Sequence, residues 1–277
     1  MTLIELLVGL TLGLLVVLAA VASLMIVRGS SHTMSDSAAL EQQATLAMLQ
    51  IGQQLSQTGA YNAYAAGTDP NTGVPGSDYP AFDPGTSTND TGSIQFDIRP
   101  IGVAQELSTF AIFGKDADDT TPTTDTLYIS YAKANDGSPS AGCAGLKTDP
   151  LTTGGAARSV SIFTVDTKTN SLTCHTDSDT SKPVPIAANV VDMRVSYLSV
   201  DTKGNVTYYA TAKDVNDAPN TWASINGVQI CLELVGDTTQ AVQPTFKGCQ
   251  DQDKPANGRI HRIVRNTFYL RNPLQAS

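Results

Sequence analysis

Few side chains in this sequence have the types that chemistry needs. There are four cysteines (Cys143, Cys174, Cys231, Cys249), three histidines (His32, His175, His261), and Glu5, a carboxylate set in an otherwise apolar run. The cysteines are even in number and none has CxxC spacing. Only His175 lies beside a cysteine, and the spacings fit none of the usual zinc patterns. The expectation is therefore two disulfides formed in an oxidising compartment, and no metal. Three pairings are open to four cysteines. The sequential one, Cys143–Cys174 and Cys231–Cys249, is favoured, and each bridge restricts the unfolded chain by about 3 kcal/mol in the loop-entropy picture. The histidines are scattered: His32 in a polar helical stretch, His175 in a strand, His261 next to Arg262. Scattered histidines of this kind are usually surface residues. No G-x-S-x-G, H-E-x-x-H or P-loop spacing occurs. No catalytic residue, enzyme activity or cofactor is expected. Asp116, Asp118, Asp119 and Asp125 lack EF-hand spacing and its glycine, so a solvated acidic loop is the simpler reading than a Ca²⁺ site.

Glu5 is different, because of what surrounds it. From Met1 to Val27 it is the only charged side chain. About 20 apolar residues in helical form cross the hydrocarbon core of a bilayer, so this stretch is long enough to span. A carboxylate inside such a segment is costly and by default marks a functional position. A cleavable signal peptide is the rival reading. The run has no basic segment before it, is too long, and carries Glu5 where a signal is apolar, so it is expected to be retained. Gly9-x-x-x-Gly13 puts two small residues on one face, which permits close helix approach in an apolar medium. Paired with the Met1 amine of an adjacent subunit, Glu5 would be neutralised and the axial register of two helices fixed.

Helical periodicity continues beyond the apolar run. Leu40, Ala44, Ala47, Met48, Ile51 and Leu55 form one apolar stripe, with Glu41, Gln42, Gln43, Gln50, Gln53 and Gln54 on the remaining surface. Leu46 and Leu49 fall opposite, either singly exposed or meant for a neighbouring molecule. No proline occurs before Pro70, and Gly59 is a suitable stop. One continuous helix from about residue 2 to 58 is expected, roughly 85 Å long at 1.5 Å per residue. Residues 61–92 read as loop, rich in Gly, Pro, Asp and Thr. Strands with period-2 alternation are expected at Ser93–Ile98, Thr126–Tyr131, Val160–Val165, Ser171–Cys174, Val191–Val200, Val206–Thr211, Val228–Val235 and Val264–Leu270. Two near copies, Asp166-Thr-Lys-Thr-Asn170 and Asp201-Thr-Lys-Gly-Asn205, read as hairpin loops. In the strand around Ile230 the core face is Val228, Ile230, Leu232 and Leu234, with Cys231, Gln229 and Glu233 turned outward. In the last strand Val264, Phe268 and Leu270 point in, and Arg265, Thr267 and Arg271 point out.

One long helix followed only by strands argues an α+β fold with an antiparallel sheet packed on the helix. The expected organisation is residues 1–28 as a transmembrane or assembly helix, 29–58 as its amphipathic continuation, and 59–277 as a β-rich head with long loops and two disulfides. The 277 residues carry a net charge of −9, nearly all of it beyond the apolar run. That balance disfavours nucleic acid and anionic lipid as partners of the head.

Met1-Thr-Leu-Ile-Glu5-Leu-Leu-Val-Gly9-Leu resembles the mature N-terminus of type IV pilins, whose usual pattern is a Phe-Thr-Leu-Ile-Glu start. Here Met1 replaces the usual Phe, and Ala22 stands where many pilins carry a helix proline. Later segments resemble PilW-like minor pilins in the same order: Glu41-Gln-Gln43, Leu55-Ser-Gln-Thr-Gly59-Ala-Tyr61, Asp125-Thr-Leu-Tyr-Ile129, Cys143-Ala-Gly145, Leu172-Thr-Cys174, Val190-Val-Asp-Met-Arg-Val195, and Leu270-Arg-Asn272. The resemblance implies a processed, N-methylated chain. Met1, Glu5, Gly9 and Gly13 would be its assembly residues, with unwinding easiest near Gly9 and Gly13. That order also supports the Cys143–Cys174 pairing. It implies other pilin subunits and the pilus assembly machinery as partners. The helix would sit in the bacterial inner membrane with the head in the periplasm, and later enter an extracellular filament. The function implied is a structural pilus subunit. The alternatives are a minor pseudopilin of type II secretion and a filament-tip adhesin whose loops 61–92 and 133–157 recognise a ligand.

Overall fold

The structure is a computed structural model of the chain. It describes residues 3–59, 111–117, 124–133, 142–143, 157–176, 179–201, 203–217, 222–239 and 244–271. The first element is a single helix, α1 (Leu3–Gln57). Nothing in its sequence interrupts the i to i−4 ladder, because no proline falls within it. Its end is set locally. Gly59 takes a left-handed φ of 72°, and the Thr58 hydroxyl donates to the Gln54 carbonyl at 3.2 Å. The Gly59 amide then donates across to the Ser130 carbonyl at 3.1 Å, so the helix stop is also its first tie to the head.

The strands are β1 (Ile112–Lys115), β2 (Thr126–Lys133), β3 (Ala157–Asp166), β4 (Ser171–Thr176), β5 (Asp179–Ala188), β6 (Val190–Val200), β7 (Val206–Tyr209), β8 (Ile225–Thr239), β9 (Thr245–Lys247), β10 (Asp253–Pro255) and β11 (Arg259–Tyr269). A short helix, α2 (Ala212–Asn216), lies between β7 and β8. All strand pairs are antiparallel. They are divided among separate sheets. β1 to β5 form a five-stranded meander, β11-β8-β6-β7 form a four-stranded sheet, and β9 pairs with β10 in a separate ribbon. The chain passes from the first sheet to the second through Asn189 alone, at φ 64°. Asparagine tolerates that left-handed conformation better than other non-glycine residues.

The expected strands that fall on described residues are present, with corrected bounds. The strand predicted over Val206–Thr211 stops at Tyr209, because Thr211 is the N-cap of α2 in a capping box with Asp214. The expected strand Ser93–Ile98 and the loop 61–92 lie outside the described residues. The strands missed by periodicity are β1, β5, β9 and β10. β5 contains Pro183 and Pro185, which argue against a strand interior. It is the edge of its sheet, where a residue without an N–H is tolerated. Both Asp-Thr-Lys loops are hairpin turns built the same way. The Asp166 carboxylate accepts from the Lys168 amide at 2.9 Å, and that of Asp201 from the Lys203 and Asn205 amides at 2.8 Å each. These bonds hold both carboxyls below their usual range: the amide of Lys168 leads at Asp166, the side chain of Asn205 at Asp201.

The core joins both sheets to the helix. Leu40, Ala44, Ala47, Met48, Ile51 and Leu55 are all buried and pack with Leu127, Phe163, Leu172, Val195, Ile230 and Leu232 among others. Alternation holds in β8, where Val228, Ile230, Leu232 and Leu234 are fully buried. At one end an aromatic group closes the core: Trp222 meets Tyr197 edge-on at 4.8 Å between centroids and Phe113 at 4.9 Å.

Candidate assembly surface

None of the described residues of the head packs around the first part of α1. Leu3–Met25 is long and apolar enough to cross a membrane, with mean hydropathy 2.6, and none of it is buried. Two of its polar side chains are satisfied by the helix backbone. The Thr11 hydroxyl donates to the Val8 carbonyl at 3.0 Å and that of Ser23 to the Ala19 carbonyl at 2.9 Å. Such back-bonding removes the need for water or a partner at those groups, which suits an apolar surrounding. Glu5 lies in the first turn, where the positive end of the helix dipole favours a carboxylate. Gly9 and Gly13 are one turn apart, and a Cβ added to either would meet nothing within 4 Å. Among the described residues, then, both glycine positions are open to approach. Met1 lies outside the described residues, as do the side chains of Arg28 and His32.

The second part of α1 is where the head takes hold. The sequence put its glutamines on the remaining surface, and three of them are corrected here. The Gln43 Oε1 accepts from the Ala188 amide at 3.0 Å, and Gln50 Nε2 donates to the Cys143 carbonyl at 2.9 Å. Gln54 is 5% exposed, and its Oε1 accepts from the Ser161 hydroxyl at 2.9 Å. Ser161 in turn accepts from the Cys143 amide at 3.1 Å. Residues 43, 50, 54 and 58 lie along one edge of the apolar stripe, a spacing that could have flagged them. Cys143 is disulfide-bonded to Cys174, with Cα atoms 6.0 Å apart, so this ladder ends on a covalent link to β4.

Against the four-stranded sheet the helix uses apolar packing. A groove of about 620 Å³ runs between α1 and β11, floored by Met48, Gly52 and Phe268. The absence of a side chain at Gly52 makes this approach possible, since a Cβ there would lie 2.7 Å from the Phe268 ring. Leu49, which lines the edge of this groove, is 58% exposed, and Leu46 and Met34 are exposed at 45% and 71%.

The outer face of the four-stranded sheet carries a polar cluster under the β9–β10 ribbon. Cys231 and Glu233 do face outward, yet both are buried, because the ribbon covers them. Cys231 is bonded to Cys249, and Lys254 Nζ lies 2.7 Å from the Glu233 carboxylate and 3.3 Å from that of Asp192. Burial alone would lower the pKa of Lys254, but its hydrogen bond to Glu233 and the nearby Asp192 and Glu233 charges raise it. His261 is corrected from a surface residue. Its ring stacks on Phe246 at 3.9 Å, and Nδ1 stands 3.3 Å from Glu233 Oε1, close enough for an ion pair but out of hydrogen-bond alignment. His175 sits in β4.

The acidic residues of the proposed solvated loop divide. Asp116 accepts from the Ala212 and Lys213 amides at the start of α2, at 2.7 and 2.8 Å. Asp125 is buried and accepts from Val195 and Ala117 amides at 2.9 and 3.0 Å, with Arg194 at 3.2 Å. Desolvation raises its pKa despite those bonds. Both carboxylates thus serve the fold, and Asp118 and Asp119 lie outside the described residues. Among the described residues no group of three or more His, Cys, Asp or Glu is arranged to hold a metal.

Comparison with known proteins bears on the head. A family model described as type IV pilus-assembly protein W matches residues 161–272, from Ser161 in β3 to just beyond β11. Among solved structures, a type IV-like pilin from Thermus thermophilus is similar, with 12% sequence identity and a TM-score of 0.41. The match covers 85% of this chain and 97% of that one. No curated protein matches the sequence.

Proposed function

We propose that the chain is a structural, PilW-like pilin that assembles into a type IV pilus through its N-terminal helix, a reading supported by the family-model match over residues 161–272. The observation that carries this reading is the division of α1. Every described side chain of Leu3–Met25 is exposed and nearly all are apolar, while the apolar stripe from Leu40 to Leu55 is built into the head. An apolar surface of that size is stable only in lipid or against other apolar helices. In the proposed cycle the helix first anchors the chain in the inner membrane, with the head in the periplasm. The assembly machinery then draws it into a filament, where helix contacts replace lipid contacts. Glu5 neutralises the N-terminal amine of a neighbouring subunit, which fixes how far the helix advances. Gly9 and Gly13 let a second helix approach closely.

The reading is tested by Glu5→Ala in the full chain, with other pilus components intact. The expected outcome is a folded, membrane-held chain that is at least about tenfold depleted from sheared filaments, as a lost buried charge pair predicts. Incorporation at the unsubstituted level would overturn the reading.

A further inference from the structure

We infer that the Cys143–Cys174 disulfide is a local clasp that holds the last turns of α1 to the five-stranded sheet, rather than a general brace of the head. Three groups of Cys143 and its bonding partners converge on the helix. Its carbonyl accepts from Gln50, its amide donates to Ser161, and Ser161 donates to Gln54, all within 3.1 Å. Its sulfur is tied to Cys174, which is fully buried in the core beside Leu172 and Phe163. The backbone of Cys143 is therefore a bracket between helix and sheet, and the disulfide sets where that bracket stands. The second disulfide differs in kind. Cys231–Cys249 joins β8 to the turn that follows β9, on the face of the sheet away from α1. Losing it frees a ribbon and leaves the helix contacts in place. On the proposed reading, in which the subunit is drawn by its helix, the clasp would keep the head at a fixed position on the last turns of α1.

The test is hydrogen exchange by mass spectrometry on the full chain in detergent. Cys143→Ser/Cys174→Ser is compared with Cys231→Ser/Cys249→Ser. In the first variant, amides of residues 50–59 should exchange at least about tenfold faster, while β8 amides keep their protection, as expected for a local opening. In the second, residues 50–59 should be unchanged. Gln50→Leu, which keeps both disulfides, should speed exchange of the same amides by about threefold or more, the effect of one lost hydrogen bond. Three results would each overturn the inference: unchanged exchange at 50–59 in the first variant, equal loss of protection in β8 including a failure to fold, or the same effect from the second pair. No acceleration in Gln50→Leu would overturn the part assigned to the Gln50 bond.

Discussion

The two halves of α1 share one unbroken helix and obey different solvents. In the first, leucine and valine point outward in every direction, from Leu3 at 80% exposed to Met25 at 70%. In the second, leucines of the same kind are sorted, with Leu40 and Leu55 buried and Leu46 and Leu49 exposed. The difference teaches that apolar content alone does not place a residue. Sorting occurs where a head competes for one face of the helix, and here the all-round apolar stretch is one that none of the described residues covers. The second half is also the polar one. Gln43, Gln50 and Gln54 bond to backbone or to Ser161, so the docking position is specified by direction as well as by buried area.

The comparison is broken most sharply by a pair of equal truncations. Leu55→Ala should destabilise the head by about 2–5 kcal/mol, the usual cost of a cavity at a fully buried leucine. Leu15→Ala, in the first half, should leave head unfolding unchanged. Thermal or urea unfolding of the full chain in detergent reads both, and equal effects would erase the distinction between the halves. Gln54→Leu tests the polar part. It strips the Ser161 hydroxyl of its acceptor in a buried site, and a loss of about 1–3 kcal/mol is expected in the same measurement. A neutral or stabilising result would mean that apolar packing alone sets the docking. The smallest effect belongs to Leu49→Ser on the exposed side. Stability should move by no more than about 0.5 kcal/mol, and a larger loss would show that Leu49 belongs to the core after all.

The helix was legible because its signals are local. The lack of proline before Pro70, the stripe from Leu40 to Leu55 and the stop at Gly59 all act within a few residues. The central strands were legible for the same reason, as in the alternation of β8 and the Asp-Thr-Lys hairpin loops. β5 was not, since its two prolines are acceptable only at a sheet edge, and edge position is a property of the whole sheet. His261 and Gln54 were likewise misplaced. Both look like surface residues until the β9–β10 ribbon covers one and β3 meets the other.

By itself, the sequence determined the long helix, its apolar first half with Glu5, most of the strands and their inward faces. These follow from periodicity and backbone stereochemistry, which need no distant partner. Only the tertiary structure decided that the strands divide into two sheets at Asn189, that glutamines bind the head to the helix, and that the outer face of β8 is covered. Those outcomes depend on which groups far apart in sequence must satisfy one another once water is excluded between them.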